Sequence, residues 1–254
     1  MDALVYREDH DGWTTLWLNR PEKLNALTTA MFTELRKHIE ALAGDDSVRC
    51  VVLRGAGRCF SAGHDLTDIS AGETSPAPGW HSQTLRLLER LPQPVIAAVH
   101  GHCYTGALEV ALACDFIVAA DNARFGDTHA KWALTPVWGM SQRLPRRVGL
   151  ATAKRLMFTC DIIDAAEAVR IGLAEFLIAD GSFDGEVSGL ATRIATNSSF
   201  SHQAVKGLLD ATEGSSIDAG LHWEVMESAG TGPDMQERIA TFSGRGKVSE
   251  SHAS

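Results

Sequence analysis

The sequence predicts an α/β fold built from repeated ββα units, and three observations lead there. One complete ββα unit can be read in the first 44 residues, three short β-branched runs follow with a glycine-bearing turn after each, and from Ser182 onward strand-like runs give way to apolar residues at helical spacing. With 254 residues, 44% of them hydrophobic, the chain can bury a full core without disulfide or metal staples.

Taken in order, Leu4–Arg7 and Thr14–Leu18 read as strands, with Asp11-Gly12 between them as a hairpin turn. Thr28 or Thr29 then caps a helix whose Phe32, Leu35, Ile39 and Leu42 share one face, ending near Gly44. Val48–Leu53, Pro94–Val99 and Phe116–Ala119 are short β-branched runs of the kind found in buried strands. Between the first two, the stretch from Gly72 to Gly79 has turn formers and no apolar period, which predicts a mobile surface loop able to act as a lid. Leu190, Ile194, Val205, Leu208 and Leu209, then Met235 and Ile239, predict the C-terminal helices. The expected organisation is a core over 1–195, a helical segment over 196–243, and a frayed or disordered tail over 244–254, which is polar and small.

Composition narrows the function classes. A formal net charge of −9, with no basic stripe interleaved with aromatics, argues against nucleic acid or an anionic membrane as the main partner. The five cysteines are odd in number and form no C-x-x-C pair, and the ten histidines form no H-x-x-x-H pair; neither a disulfide framework nor a metal site is expected. No basic-then-apolar leader and no membrane-length apolar run occurs, so a cytoplasmic location is expected. Ser61 lacks the glycine at Cys59 that a nucleophile elbow needs, and Gly55-Ala56-Gly57 lacks the third glycine of a dinucleotide fingerprint at Phe60.

Two segments carry chemistry. Arg58 to Leu66 contains a tight glycine turn after a strand, and His100 to Val110 runs a strand through a small-residue turn into an apolar helix; both can present free backbone N–H groups. Two such donors facing one carbonyl oxygen make an oxyanion hole. Glu109 is the one acid in Ala107-Leu108-Glu109-Val110-Ala111-Leu112-Ala113, and burial there would raise its pKa and suit it to proton transfer. A capping role is disfavoured, because a box from Thr105 would need its acid at Leu108.

These residues resemble the crotonase superfamily, the enoyl-CoA hydratase/isomerases. Asn19 to Leu27 is similar to its N-terminal motif, Arg58 to Leu66 and Pro94 to Gly126 to its two oxyanion-hole segments, and Ala165 to Ala174 to a later motif, all in the same order. The resemblance implies a crotonase-like fold with a C-terminal helical oligomerisation segment in trimers or paired trimers, and a lyase of fatty acyl-CoA metabolism. It implies that the N–H groups of His64 and Gly106 hold a thioester oxygen. Ala62, Asp65 and Leu66 would line the coenzyme A site, and Lys23 and Leu24 would lie near the pantetheine entrance. Glu109 falls on the first of the two glutamates that hydratases use, whereas His129 stands where they carry the second. Val137-Trp138-Gly139 replaces the usual small turn, so Trp138 is expected to shape the acyl pocket. No metal or redox cofactor is implied, and coenzyme A enters as part of the substrate. The expected reaction is hydration of a 2-enoyl-CoA, with Glu109 activating water and His129 protonating C2. The alternatives are a one-base isomerase or another enolate-type hydrolase or lyase, and a family member that binds acyl-CoA or a protein without turnover.

Overall fold

The computed structural model describes residues 3–250, in two compact units, one through Ala195 and one from Thr196. The first unit is α/β. Its elements in chain order are β1 (Val5–Asp9), β2 (Thr14–Leu18), α1 (Thr29–Leu42), β3 (Val51–Gly55), α2 (Leu66–Ser70), α3 (Trp80–Glu89), β4 (Val95–Val99), β5 (His102–Tyr104), α4 (Gly106–Leu112), β6 (Phe116–Ala120), β7 (Arg124–Gly126), α5 (Met140–Val148), α6 (Leu150–Thr159), β8 (Ile163–Asp164), α7 (Ala165–Arg170), β9 (Phe176–Ile178) and α8 (Phe183–Ala195).

Six strands form one sheet in the order β1-β2-β3-β4-β6-β9, antiparallel only between β1 and β2 and parallel elsewhere. A parallel sheet needs cover on both faces, and the alternation of side chains supplies it. Val51, Leu53, Val95, Ala97, Val99, Ile117 and Ala119 join the core formed with α1, α3 and α4. Their neighbours Val52, Ile96, Ala98, Val118 and Ala120 join a second core with Phe183, Val187, Ala191 and Ala195 of α8. That two-sided burial explains why these strands read as unbroken apolar runs rather than alternating ones. Thr28 caps α1, its Oγ1 accepting from Met31 N–H at 3.2 Å.

A second sheet, β5-β7-β8, is too short to show a period in sequence, with strands of only two or three residues. It sits directly after β4 and β6 in the chain and carries the turns that matter below. Among the described residues no helix is long and apolar enough to cross a membrane.

The second unit holds α9 (Ser199–Thr212), α10 (Ile217–Met226) and α11 (Met235–Glu250). Leu209, Ile217, Val225 and Phe242 are exposed on it. The tail expected to fray from 244 is helical in its backbone through Glu250; once a helix is nucleated, extending it through Gly244 and Gly246 costs only about 1 kcal/mol per glycine. The rest of that tail, 251–254, lies outside the described residues.

Candidate active site

The turn after β3 is held in place by the residues before α1. Leu24 and Asn25 both adopt left-handed backbone, φ 53°, which turns the chain back toward residues 56–63. Asn25, fully buried, donates from Nδ2 to the carbonyls of Ala56 and Cys59, both at 2.8 Å, and accepts from Arg20 N–H through Oδ1 at 2.9 Å. Ala62 N–H donates to Leu24 O, Leu27 N–H to Gly63 O and Asp65 N–H to Leu27 O, at 2.8 to 2.9 Å. The segment is thereby fixed on both sides of His64, whose own N–H meets no protein acceptor among the described residues.

The second donor is reached through a strained residue. Thr105, immediately before α4, has φ 52° and ψ −109°, a conformation that β-branched residues rarely adopt. It is held there by its N–H donating to Gly126 O at 2.8 Å and its Oγ1 accepting from Thr128 N–H at 3.0 Å. Gly106 follows, and its N–H also meets no protein acceptor among the described residues. A Cβ on Gly106 would lie 3.2 Å from His64 N, so the two amides are neighbours; a Cβ on Gly63 would strike Tyr104 O at 2.6 Å. At Gly63, whose φ is 102°, only glycine permits this approach, and at Gly106 a Cβ would crowd the His64 amide.

α4 is buried along its whole length. Glu109 on it is 1% exposed, and its Oε1 accepts from the N–H groups of Trp138 (3.0 Å) and Met140 (2.9 Å). Burial pushes its carboxyl above the ordinary range, and the Met140 N–H, the neighbouring His129 and the Trp138 N–H offset this only in part. Arg143 steadies the turn that supplies those N–H groups, donating to Trp138 O at 2.8 Å and gripping Glu89 of α3 with two bonds at 3.0 and 3.1 Å. Oε2 is left facing Nε2 of His129 at 3.9 Å. His129 opens a 3₁₀ turn after β7, is buried, and directs Nδ1 to Asp127 Oδ1 at 2.6 Å.

Glu109, His129, His64 and Gly106 all line one cavity of about 650 Å³, together with Ala62, Leu66 and Trp138. Lys23, Leu24 and Asp65 do not line it. Lys23 is exposed on the surface turn, and Asp65 accepts from Arg20 (3.2 Å) and caps α2 through Thr67 N–H (3.0 Å), work that holds the loop. Trp138 is 3% exposed and packs against His64, His81 and Phe32, with ring centroids at 4.7 to 4.9 Å; its ring edge would lie 2.5 Å from a Cβ on Gly106. It therefore forms a wall beside the second amide donor.

The stretch from Gly72 to Gly79, expected to be a free loop, is tied down at Glu73. Its Oε1 accepts from Thr29 N–H at 2.5 Å and its Oε2 from His64 Nε2 at 2.6 Å, and despite burial these bonds leave its carboxyl below the ordinary range. Glu73 and Asp127 carry no role readable in the sequence, and Thr105 is readable there only as a capping candidate. Each looks local, an acid or hydroxyl beside a glycine, and only the fold brings it to its partner.

The arrangement pairs two neighbouring amide donors with a buried acid and a buried imidazole. It can stabilise negative charge developing on a carbonyl oxygen while moving protons next to it. Comparison with known proteins finds relatives along most of the chain. The enoyl-CoA hydratase/isomerase family model matches residues 8–248. A crotonyl-CoA hydratase of Syntrophomonas wolfei is 35% identical over 224 residues, covering 87% of this chain and 86% of that one. A 1,2-epoxyphenylacetyl-CoA isomerase of Escherichia coli is 32% identical over 240 residues, covering 91% and 92%. Among solved structures, an enoyl-CoA hydratase from Bacillus anthracis superposes with a TM-score of 0.89 at 31% identity, covering 95% of this chain and 96% of that one.

Proposed function

Because the chain belongs to the enoyl-CoA hydratase/isomerase family, we propose that it is an enoyl-CoA hydratase, adding water across the C2–C3 double bond of a 2-enoyl-CoA thioester. The observation that carries this reading is the 3.9 Å between Glu109 Oε2 and His129 Nε2. That gap is too long for a direct hydrogen bond, and it suits one water bonded to both groups at about 2.8 Å each with roughly a right angle between the bonds.

The thioester oxygen rests on His64 N–H and Gly106 N–H, so charge that develops there as water attacks is stabilised by donors already in position. Glu109 Oε1 is occupied by two backbone N–H groups, which leaves Oε2 to take a proton from the water as its oxygen bonds to C3. The π electrons pass into the enolate, and His129 returns a proton to C2. Backbone around Ala62, Asp65 and Leu66 borders the coenzyme A arm, with Lys23 and Leu24 toward the pantetheine entrance, and Trp138 bounds the acyl group. The scheme uses no metal or redox group, coenzyme A being part of the substrate. The exposed apolar residues of the second unit suit burial between subunits in a trimer or paired trimers, and five buried cysteines, none in a disulfide among the described residues, suit the cytoplasm.

A one-base isomerase is the second reading, and the relative named 1,2-epoxyphenylacetyl-CoA isomerase favours keeping it. Steady-state turnover of crotonyl-CoA and of a 3-enoyl-CoA, with products identified, separates the two. The hydratase reading predicts a 3-hydroxyacyl-CoA product from crotonyl-CoA and a loss of about 10²–10⁴-fold in Glu109→Ala. Conversion of the 3-enoyl thioester without hydration of crotonyl-CoA contradicts it.

A further inference from the structure

Asp127 is 1% exposed, and its Oδ1 accepts two hydrogen bonds from the same residue, from the main-chain N–H of His129 at 3.1 Å and from ring Nδ1 at 2.6 Å. The two bonds close a small ring that leaves the imidazole one orientation, with Nδ1 on Asp127 and Nε2 toward Glu109. An ionised carboxylate only accepts, so Nδ1 carries a hydrogen, and whether Nε2 carries one depends on whether the ring is charged.

The proposed reaction makes that choice matter. Water gives one proton to Glu109 Oε2 while its oxygen bonds to C3, and His129 Nε2 gives one proton to C2. Each turnover therefore ends with Glu109 protonated and His129 neutral, and the proton must return to His129 before the next. Burial of Glu109 works against that return, because it favours the neutral carboxyl. The carboxylate bonded to the far side of the imidazole works the other way.

We propose that Asp127 is a positioning residue that aims His129 Nε2 at the substrate's C2 and whose carboxylate, bonded to Nδ1, favours return of the mobile proton from Glu109 to the imidazole. The proposal rests on the reading of His129 as the proton donor. The charged and titratable groups around the ring are Glu109 from α4 and Asp127 beside it; His64 and Lys131 line the same cavity, and α6, which packs against the 3₁₀ turn, carries Lys154 and Arg155, the latter paired with Glu167. Of these, only Asp127 bonds the ring directly among the described residues.

The test compares Asp127→Asn, Asp127→Glu and His129→Gln in the full chain, measuring kcat and KM for crotonyl-CoA across the range in which imidazole titrates, together with ¹⁵N resonances of the labelled His129 ring. In Asp127→Asn the expected result is a kcat lower by about 10–100-fold with KM within about twofold, and an alkaline limb of kcat and a ring titration both moved down by about one pH unit or more. Asp127→Glu, which keeps the charge, moves both back toward the wild-type position. An unmoved limb and an unmoved ring titration in Asp127→Asn overturn the proposal, including when kcat falls, since that would be a merely structural loss. If His129→Gln instead keeps wild-type kcat, the donor reading itself fails; that result is distinguishable, because Asp127→Asn would then be silent in kcat while the ring resonance still shifts.

Discussion

Burial of Glu109 comes at a cost to the fold. Its folded-state pKa is raised, first of all by burial, so below the ordinary carboxylate value near 4.3 it is protonated in both folded and unfolded chains and carries no penalty. As pH rises from there through the raised folded value, the unfolded chain releases the proton more readily, and stability is lost. Glu109→Gln keeps an oxygen to accept from Trp138 and Met140 and removes the charge. It should therefore melt higher than the wild type at neutral pH and equally near pH 4, a difference that thermal unfolding at the two pH values reads directly. A lower melting temperature at neutral pH would mean that the ionised carboxylate stabilises the fold. Glu109 was legible in the sequence because it is one acid in an otherwise apolar helix. Asp127 was not, since an acid two residues before a histidine reads as a turn residue, and nothing local shows that both its bonds go to that histidine.

At the scale of elements, the site is a matter of two turns brought edge to edge. The segment after β3 is braced by Asn25 and the left-handed turn before α1, and the segment after β5 by the strained Thr105. They approach so closely that a methyl group on Gly63 would lie 2.6 Å from Tyr104 O, at a backbone φ of 102° that also strains an L side chain. Gly63→Ala should therefore separate the donors at His64 and Gly106 and lower kcat by about 10²–10³-fold, the effect of losing one oxyanion donor, while changing KM far less. Wild-type kcat in a folded Gly63→Ala protein would remove the two amides from the chemistry. The long strands and α1 were readable from period and capping, because burial on both sheet faces leaves unbroken apolar runs. β5, β7 and β8 were not, being shorter than any period. The stretch from Gly72 to Gly79 has the composition of a free loop, yet Glu73 ties it to His64 and Thr29, partners 9 and 44 residues away.

On the scale of the molecule, the parallel sheet brings α4 and the turn after β7 together, so that residues 20 positions apart in sequence face one another across 3.9 Å. The covered sheet is the scaffold of the enoyl-CoA hydratase/isomerase family, and on it this chain sets the imidazole of His129 opposite the carboxylate of Glu109. In the proposed reaction Glu109 and His129 act as one unit sharing one water. Groups that act as a unit are strongly non-additive when removed. The direct measurement is kcat/KM for crotonyl-CoA hydration by Glu109→Gln, His129→Gln and the double variant. The expected result is a large loss in each single variant and little further loss in the double. A His129→Gln enzyme that hydrates at the wild-type rate while Glu109→Gln does not would contradict it, leaving a single base at this site.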